Sequence, residues 1–144
     1  MLIIAYSCQI QRIKNEWTKE VFGDADNLTE EKVDEVLKKF LEDFKQGSLE
    51  TKGWPKTGGA YVLSKAAMNA YTRILAKNYP TLTINCVCPG YVINAITGNT
   101  GLLTAEEGAA SVVKLALLPN GSPSGQFYHR TEVSSFWLVL CYVV

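Results

Sequence analysis

The sequence has no excess of either charge, because its 14 basic side chains balance its 14 acidic ones. It also lacks a stripe of lysine and arginine with aromatic residues between them, which is typical of nucleic-acid surfaces. No apolar run is long enough to cross a bilayer as a helix, since the two apolar ends cover only residues 1–6 and 136–144. The sequence therefore predicts a protein that binds neither nucleic acid nor a membrane and that carries no signal peptide.

Metal ligands are also scarce. The chain has a single histidine, His129, and four cysteines without any CxxC pair, namely Cys8, Cys86, Cys88 and Cys141. A zinc site needs four ligands at tighter spacing, so we predict no metal site and reduced thiols in the core. Reduced thiols fit a reducing compartment, and the cytosol is the expected location.

Caps and apolar spacing predict three helices. The first begins at Thr29, a good N-cap, and closes near Gly47. The second is alanine-rich and runs from about residue 60 to Asn78. The third begins at the capping box of Thr104 and Glu107. The apolar positions are Val33, Val36, Leu37, Phe40, Leu41 and Phe44 in the first helix, and Ala109, Val112, Val113, Ala116 and Leu117 in the third.

Short apolar runs predict strands at 1–6, 82–88 and 126–128, whereas residues 7–28 show only a probable turn at 23–27. The order is strand, helix, helix, strand, helix, strand, which is typical of an α/β layered fold. A chain of 144 residues with 47% apolar residues is long enough for one domain with a hydrophobic core, so residues 1–144 are interpreted as one domain.

Tyr61 and Lys65 are the candidate chemical groups. Four residues apart on a helix, their side chains lie on one face. A phenol is a poor acid or base near neutral pH, because its ordinary pKa is about 10, and a neighbouring ammonium lowers that pKa. The pair is therefore suited to give a proton to a carbonyl oxygen or to take one from an alcohol. The spacing alone equally fits a half-exposed tyrosine beside a solvated lysine.

The surrounding residues resemble a known family. The block AYVLSKAAMN at 60–69 is similar to the catalytic helix of short-chain dehydrogenases/reductases, and NCVCPGYV at 85–92 is similar to the strand and loop that follow it. The motifs NEW at 15–17, LTEE at 28–31 and GWP at 53–55 resemble the plant branch that includes salutaridine reductase and neomenthol dehydrogenase. The resemblance covers residues 15–136, which leaves 1–12 and 137–144 as atypical ends.

This resemblance implies a fold, a reaction and a set of site residues. The fold is a partial Rossmann-like, doubly wound parallel sheet, and the reaction is NADP(H)-dependent reduction of a small hydrophobic carbonyl compound or oxidation of the alcohol. In the family pattern, Tyr61 is the proton donor, and Lys65 lowers the pKa of that phenol and contacts the nicotinamide ribose. Pro89, Gly90 and Val92 line the nicotinamide side of the cleft.

Trp54 lies in the insertion that this branch carries before the catalytic helix. The resemblance implies that the insertion folds over the substrate pocket, so Trp54 is a candidate substrate contact. Packing of the indole in the core is the equally weighted alternative. In this branch the insertion accompanies monomers.

The sequence departs from the family pattern at three places. None of its eleven glycines has the GxxxGxG spacing of the phosphate-binding turn, so the N-terminal βαβ units are expected to be missing. Ala5 stands at the position of the catalytic serine, with Ser7 as the nearest hydroxyl. Asn94 stands where a threonine often meets the cofactor phosphate, although its amide still donates hydrogen bonds.

Two functional hypotheses follow from these departures. One is the reductase or alcohol dehydrogenase that the motifs imply, impaired by truncation. The other is a non-catalytic remnant or interaction subunit that does not bind cofactor alone and that associates through an exposed sheet edge. The atypical ends also suggest a truncated gene product.

Overall fold

The computed structural model describes residues 2–5 and 9–136. Its strands and helices follow the predicted order, with one additional helix near the start and one additional strand at the end. They are β1 (Leu2–Ala5), α1 (Glu16–Gly23), α2 (Glu30–Lys45), α3 (Gly59–Asn78), β2 (Ile84–Cys88), α4 (Ala105–Ala116), β3 (Phe127–His129) and β4 (Glu132–Ser134), with 3₁₀ turns at Gln9–Arg12 and Ala95–Thr97.

The four strands form one sheet in the order β1-β2-β3-β4. The first three are parallel, and β2 pairs with β1 from Leu2–Ile84 to Ala5–Val87. β4 runs antiparallel to β3, so the predicted parallel sheet carries one antiparallel strand at this edge. β4 was not predicted, because a mostly exposed segment of three residues is too short for a strand pattern to be recognised.

Helices cover both faces of the sheet, which confirms the doubly wound fold class. Successive side chains of a strand point to opposite faces. Cys86 of β2 lies against α3, where its Sγ is 3.1 Å from Oδ1 of Asn69. The next residue, Val87, packs with Leu115 of α4 and with Tyr128 on the opposite face. All five residues of β2 are buried, as expected for a central parallel strand.

The larger hydrophobic core lies between α3, α2, α1 and the segment that precedes α1. The side of α3 that faces this core is built from small and branched residues, which let the neighbouring helices approach closely. The buried apolar residues of the whole core are Ile10, Ile13, Phe22, Leu28, Val33, Val36, Phe40, Trp54, Val62, Leu63, Ala66, Ala67, Ala70 and Ile74.

Three details of the helices differ from the sequence expectation. α1 was not predicted, because it has only eight residues and buries only Thr18 and Phe22, so no apolar period is visible. In α2 the apolar Leu41 and Phe44 are exposed, while the acidic Asp43 is buried. In α4 the buried residues are Gly108, Ser111 and Leu115 rather than the predicted apolar positions.

Candidate active site

The carboxyl ends of the parallel strands define the candidate site. α3 ends at Asn78 and β2 begins at Ile84, so the helix runs back along the strand and its first turn reaches the carboxyl end of β2. Measured from the Asn69–Cys86 contact, Tyr61 lies about 12 Å along the helix. Pro89 lies about 10 Å along the strand in the same direction. The fold therefore brings the Tyr61 turn and the Pro89–Gly90 loop to the same edge of the sheet.

Tyr61 and Lys65 lie on one face of α3, as predicted. The Nζ of Lys65 lies 5.6 Å from the centre of the Tyr61 ring. Tyr61 is 49% exposed, so its hydroxyl is open to a substrate, whereas Lys65 is half-buried. Lys65 also approaches Met68, with 3.6 Å between Nζ and Sδ. This arrangement holds a cation beside a phenol that solvent and substrate can reach.

The loop after β2 turns sharply and is closed by its own hydrogen bonds. Gly90 has a φ of +93°, which favours glycine, and a Cβ there would lie 2.6 Å from Cδ1 of Leu103. The N–H of Ile93 donates to the carbonyl of Leu103, 2.8 Å away. Within the described residues the N–H of Val92 makes no hydrogen bond, so it is available as a donor at this edge.

Val92 and Asn94 have different surroundings. Val92 packs on α4, where a Cβ added to Gly108 would lie 2.5 Å from Cγ2 of Val92. Asn94 caps the short 3₁₀ helix: its Oδ1 accepts a hydrogen bond from the N–H of Thr97 at 3.0 Å. The Oγ1 of Thr97 in turn donates to the carbonyl of Val92 at 2.9 Å. The structure thus gives Asn94 a role in shaping the loop, and its contact with a cofactor phosphate stays a prediction.

Trp54 lies in the core and is 3% exposed. Its Nε1 donates to Oδ2 of Asp43 at 2.9 Å, and its ring meets Phe40 edge-on with 5.3 Å between centroids. The other oxygen of Asp43 forms an ion pair with Lys39, at 3.3 Å. Of the two alternatives for Trp54, the structure describes the packing role, and contact with a substrate stays a prediction.

The buried Asp43 keeps its charge because of these partners. The hydrogen bond from Trp54 lowers the pKa of Asp43, burial opposes that effect, and Lys39 lowers the pKa further. The sequence analysis did not predict that Asp43 is buried. Asp43 lies three residues after Phe40 on the buried face of α2, but an acidic side chain is ordinarily expected to be exposed.

Packing and hydrogen bonds fix the start of α3. A Cβ added to Gly59 would lie 3.4 Å from the Phe40 ring, so α2 and the helix start are in close contact. Nη2 of Arg12 donates to the carbonyl of Thr57 at 2.6 Å. The N–H of Lys14 donates to the carbonyl of Gly53 at 2.8 Å. The segment before α1 therefore positions the loop that leads into the Tyr61 turn.

Ala5, which is predicted to stand at the family's serine position, lies at the end of β1. Ala5 pairs with Val87, so this position reaches the same edge as the Tyr61 turn. Ser7, the alternative hydroxyl, lies outside the described residues, as do Cys8 and Cys141. Cys86 and Cys88 are buried and form no disulfide with each other, as predicted for thiols in the core.

Among residues 2–5 and 9–136, no helix is long and apolar enough to cross a membrane. Over the same ranges, no three histidine, cysteine or acidic side chains come together in a way that would hold a metal ion.

Known proteins match the chain along most of its length. It is 55% identical over 127 residues to Short-chain dehydrogenase/reductase 1 of Saponaria officinalis, a match that covers 88% of this chain. The chain belongs to the short-chain dehydrogenase/reductase family. The solved structure of salutaridine reductase from Papaver somniferum matches this family member with a TM-score of 0.79 and 46% identity over 88% of the chain. The family and the plant branch predicted from the motifs are thereby confirmed.

A more distant relative lies outside plants. Carbonyl reductase (NADPH) 1 of Oryctolagus cuniculus is 37% identical over 120 residues, which cover 78% of this chain. No protein-family model matches the chain. This short-chain dehydrogenase/reductase chain spans about two fifths of the length of these relatives: 42% of the Saponaria protein, 43% of the solved structure and 43% of the rabbit protein.

Proposed function

We propose that this chain carries the proton-transfer half of an NADP(H)-dependent carbonyl reductase or alcohol dehydrogenase. The observation that carries the proposal is the Lys65 ammonium against the half-exposed Tyr61 ring, at the sheet edge where β2 turns at Gly90. Ligands of doubly wound sheets bind at the carboxyl ends of the strands, and that is where this pair lies.

Tyr61 donates its hydroxyl proton to the carbonyl oxygen of the substrate in the direction of reduction, and accepts a proton in the direction of oxidation. Lys65 stabilises the phenolate that remains, because a cation a few ångströms away lowers the free energy of the charged form. NADPH, when bound, supplies the hydride. The name of the rabbit relative supports NADPH as the cofactor.

The residues of this chain fit the nicotinamide end of such a cofactor. The N–H of Val92, which has no hydrogen-bond partner among the described residues, can donate to a carboxamide oxygen beside the turn at Gly90. Lys65 carries the donor that a ribose hydroxyl needs. Residues for the pyrophosphate end are not evident, since no GxxxGxG occurs in the sequence.

The proposed substrate is a small hydrophobic ketone or the corresponding alcohol. The names of the relatives support this class, since one reduces salutaridine and another reduces carbonyl compounds. A cytosolic location and a monomeric state, as in the plant branch, complete the proposal.

A second function, as an interaction subunit, is favoured by the sheet edge. β1 lies at one end of the strand order and pairs on one side only within the described residues. An edge strand presents unpaired backbone groups that another chain can extend. In this alternative the chain binds a partner through β1 and binds no cofactor alone.

A titration with NADPH, followed by nicotinamide fluorescence, tests the reductase proposal. We expect saturable binding below about 1 mM. The absence of binding in that range would contradict the reductase proposal for this chain and support the interaction subunit.

The substitution Tyr61→Phe tests the role of the hydroxyl. We expect reduction of small cyclic ketones to fall by at least about 100-fold, because a positioned general acid contributes that much, with NADPH binding unchanged. Tyr71→Phe is the matched control, since Tyr71 lies on the same helix and is 39% exposed. Equal activity of the two variants would contradict the assignment of Tyr61.

A further inference from the structure

Arg130 occupies a backbone conformation that favours glycine. His129 of β3 pairs with Glu132 of β4, so Arg130 and Thr131 form a two-residue hairpin turn. The φ of Arg130 is +57°, and it is one of two non-glycine residues with a positive φ in the described chain. A positive φ at the first turn residue alone is the pattern of a type II′ turn, in which that residue is usually glycine.

The positive φ of Arg130 lowers the stability of the folded chain, and a glycine at position 130 would restore that stability. A non-glycine residue at positive φ is disfavoured, and such residues persist mainly where the surrounding structure or a function requires the side chain. The second such residue, Asn99, is of a type that tolerates this conformation. Arginine has no such tolerance, which points to its side chain as the reason for its presence.

The side chain of Arg130 lies at the candidate active site. Its backbone N–H donates to the carbonyl of Cys88, at 2.8 Å, which ties the turn to the last residue of β2. Its Cδ lies 3.9 Å from the position of a Cβ on Gly90. Both contacts place Arg130 against the loop that is expected to line the nicotinamide side of the cleft, while its side chain remains exposed.

The charges around this turn favour an anion. Nζ of Lys114 lies 3.4 Å from the carbonyl of Thr131, which brings a second cation to the turn. The carboxylate of Glu132 accepts a hydrogen bond from Oγ1 of Thr131 at 3.3 Å. Burial lowers the pKa of His129, and the charge of Arg130 lowers it further, so the imidazole is neutral at pH 7. The charged side chains at this turn are therefore two cations and one carboxylate.

We propose that Arg130 binds an anionic oxygen group of a molecule seated against Gly90. The planar guanidinium is suited to phosphate and carboxylate oxygens, which it can contact through two N–H groups at once. The group comes either from a phosphate of the dinucleotide or from a carboxylate on the substrate. The location of this site rests on the proposed function, but the contact itself is tested without catalysis.

The test is an NMR titration of the ¹⁵N-labelled chain with nicotinamide mononucleotide. We expect the amide signals of Gly90, Tyr91 and Arg130 to shift, and the apparent affinity to fall about tenfold or more in Arg130→Gln, because one charge-assisted contact is lost. Lys38→Gln is the matched control, since it removes an exposed positive charge on α2, which packs against α1 and α3 and not against this turn. Nicotinamide riboside, which lacks the phosphate, should shift these signals much less.

A parallel titration with benzoate distinguishes the two sources. Shifts with the mononucleotide alone indicate a phosphate site, and shifts with both probes indicate that carboxylates also bind. No shift with either probe at about 10 mM, or equal shifts in Arg130→Gln, would overturn the proposal. If Tyr61→Phe retained full reductase activity while the Arg130-dependent shifts were present, the proposed function would fail and the anion site would stand.

The stability of Arg130→Gly separates this role from a structural one. We expect its urea unfolding midpoint to equal or exceed that of the parent chain, because glycine relieves the turn, while the anion-dependent shifts are lost. A clear fall in stability with unchanged shifts would show that Arg130 serves the fold instead.

Discussion

Replacing Trp54 by phenylalanine removes one hydrogen bond from a buried carboxylate and keeps most of the aromatic volume. In the parent chain Nε1 of Trp54 donates to Oδ2 of Asp43 at 2.9 Å, and that side chain is 1% exposed. The ion pair with Lys39 engages only the other oxygen.

The expected loss in free energy of unfolding is about 1.5–3 kcal/mol, since a hydrogen bond to a charged group is removed and the acceptor stays buried. The smaller ring and its altered edge contact with Phe40 add about 0.5–1 kcal/mol. Urea unfolding followed by circular dichroism measures the change. The slope of the unfolding free energy against urea concentration should be the same in the variant and the parent.

Trp17→Phe is the matched control, because Trp17 is 40% exposed and the covalent change is the same. We expect that variant to differ from the parent by less than about 0.5 kcal/mol. A double-mutant cycle of Trp54→Phe with Asp43→Asn should show a coupling of about 1 kcal/mol or more. A loss below about 0.5 kcal/mol in Trp54→Phe, or strictly additive effects, would refute the reasoning.

Two further predictions concern the fold around the site. The pKa of Asp43 is lowered in the folded state from 3.8, so its contribution to stability is present above about pH 4 and is lost as the pH falls through the lowered pKa. The difference in unfolding free energy between the parent and Asp43→Asn should therefore shrink between about pH 5 and pH 2. A difference that grew on acidification would contradict this prediction. Gly108→Ala places a Cβ 2.5 Å from Cγ2 of Val92, so the free energy of unfolding measured in urea should fall by about 1–3 kcal/mol. The amide NMR signals of the loop around Val92 should shift as well. An unchanged loop spectrum would show that Val92 moves aside freely.

Local signals predicted the elements that have strong caps. The capping box of Thr104 and Glu107 is formed, and Thr29 caps α2 as expected. α1 has a cap as well, since Oδ1 of Asn15 accepts from the N–H of Thr18, but a cap without an apolar period was not enough to recognise it. Hydrophobicity predicted the buried face of α2 at Val33, Val36 and Phe40 but not in the last turn, because the Asp43–Trp54 hydrogen bond turns an acidic residue inward.

The site was predictable only where its residues are neighbours in sequence. The Tyr61–Lys65 pair follows from helical spacing, and Pro89, Gly90 and Val92 follow from a contiguous motif. Arg130 reaches Gly90 through the register of β2 and β3, which spacing along the chain does not reveal. Trp54 had two alternatives in the sequence, and only the position of its partner Asp43 distinguished the packing role.

The hydrogen bonds between residues 14–15 and 52–53 have a consequence for how this region can vary among proteins. Residues 15–52, which contain α1 and α2, form an excursion that begins and ends at the same place in the structure. The N–H of Lys14 donates to the carbonyl of Gly53, and the side-chain amide of Asn15 donates to the carbonyl of Lys52. Insertions or deletions in the exposed turn at residues 24–27 would therefore change the size of the excursion without changing the path from β1 to α3. Such variation would reshape the surroundings of the candidate site while leaving Tyr61 where it is.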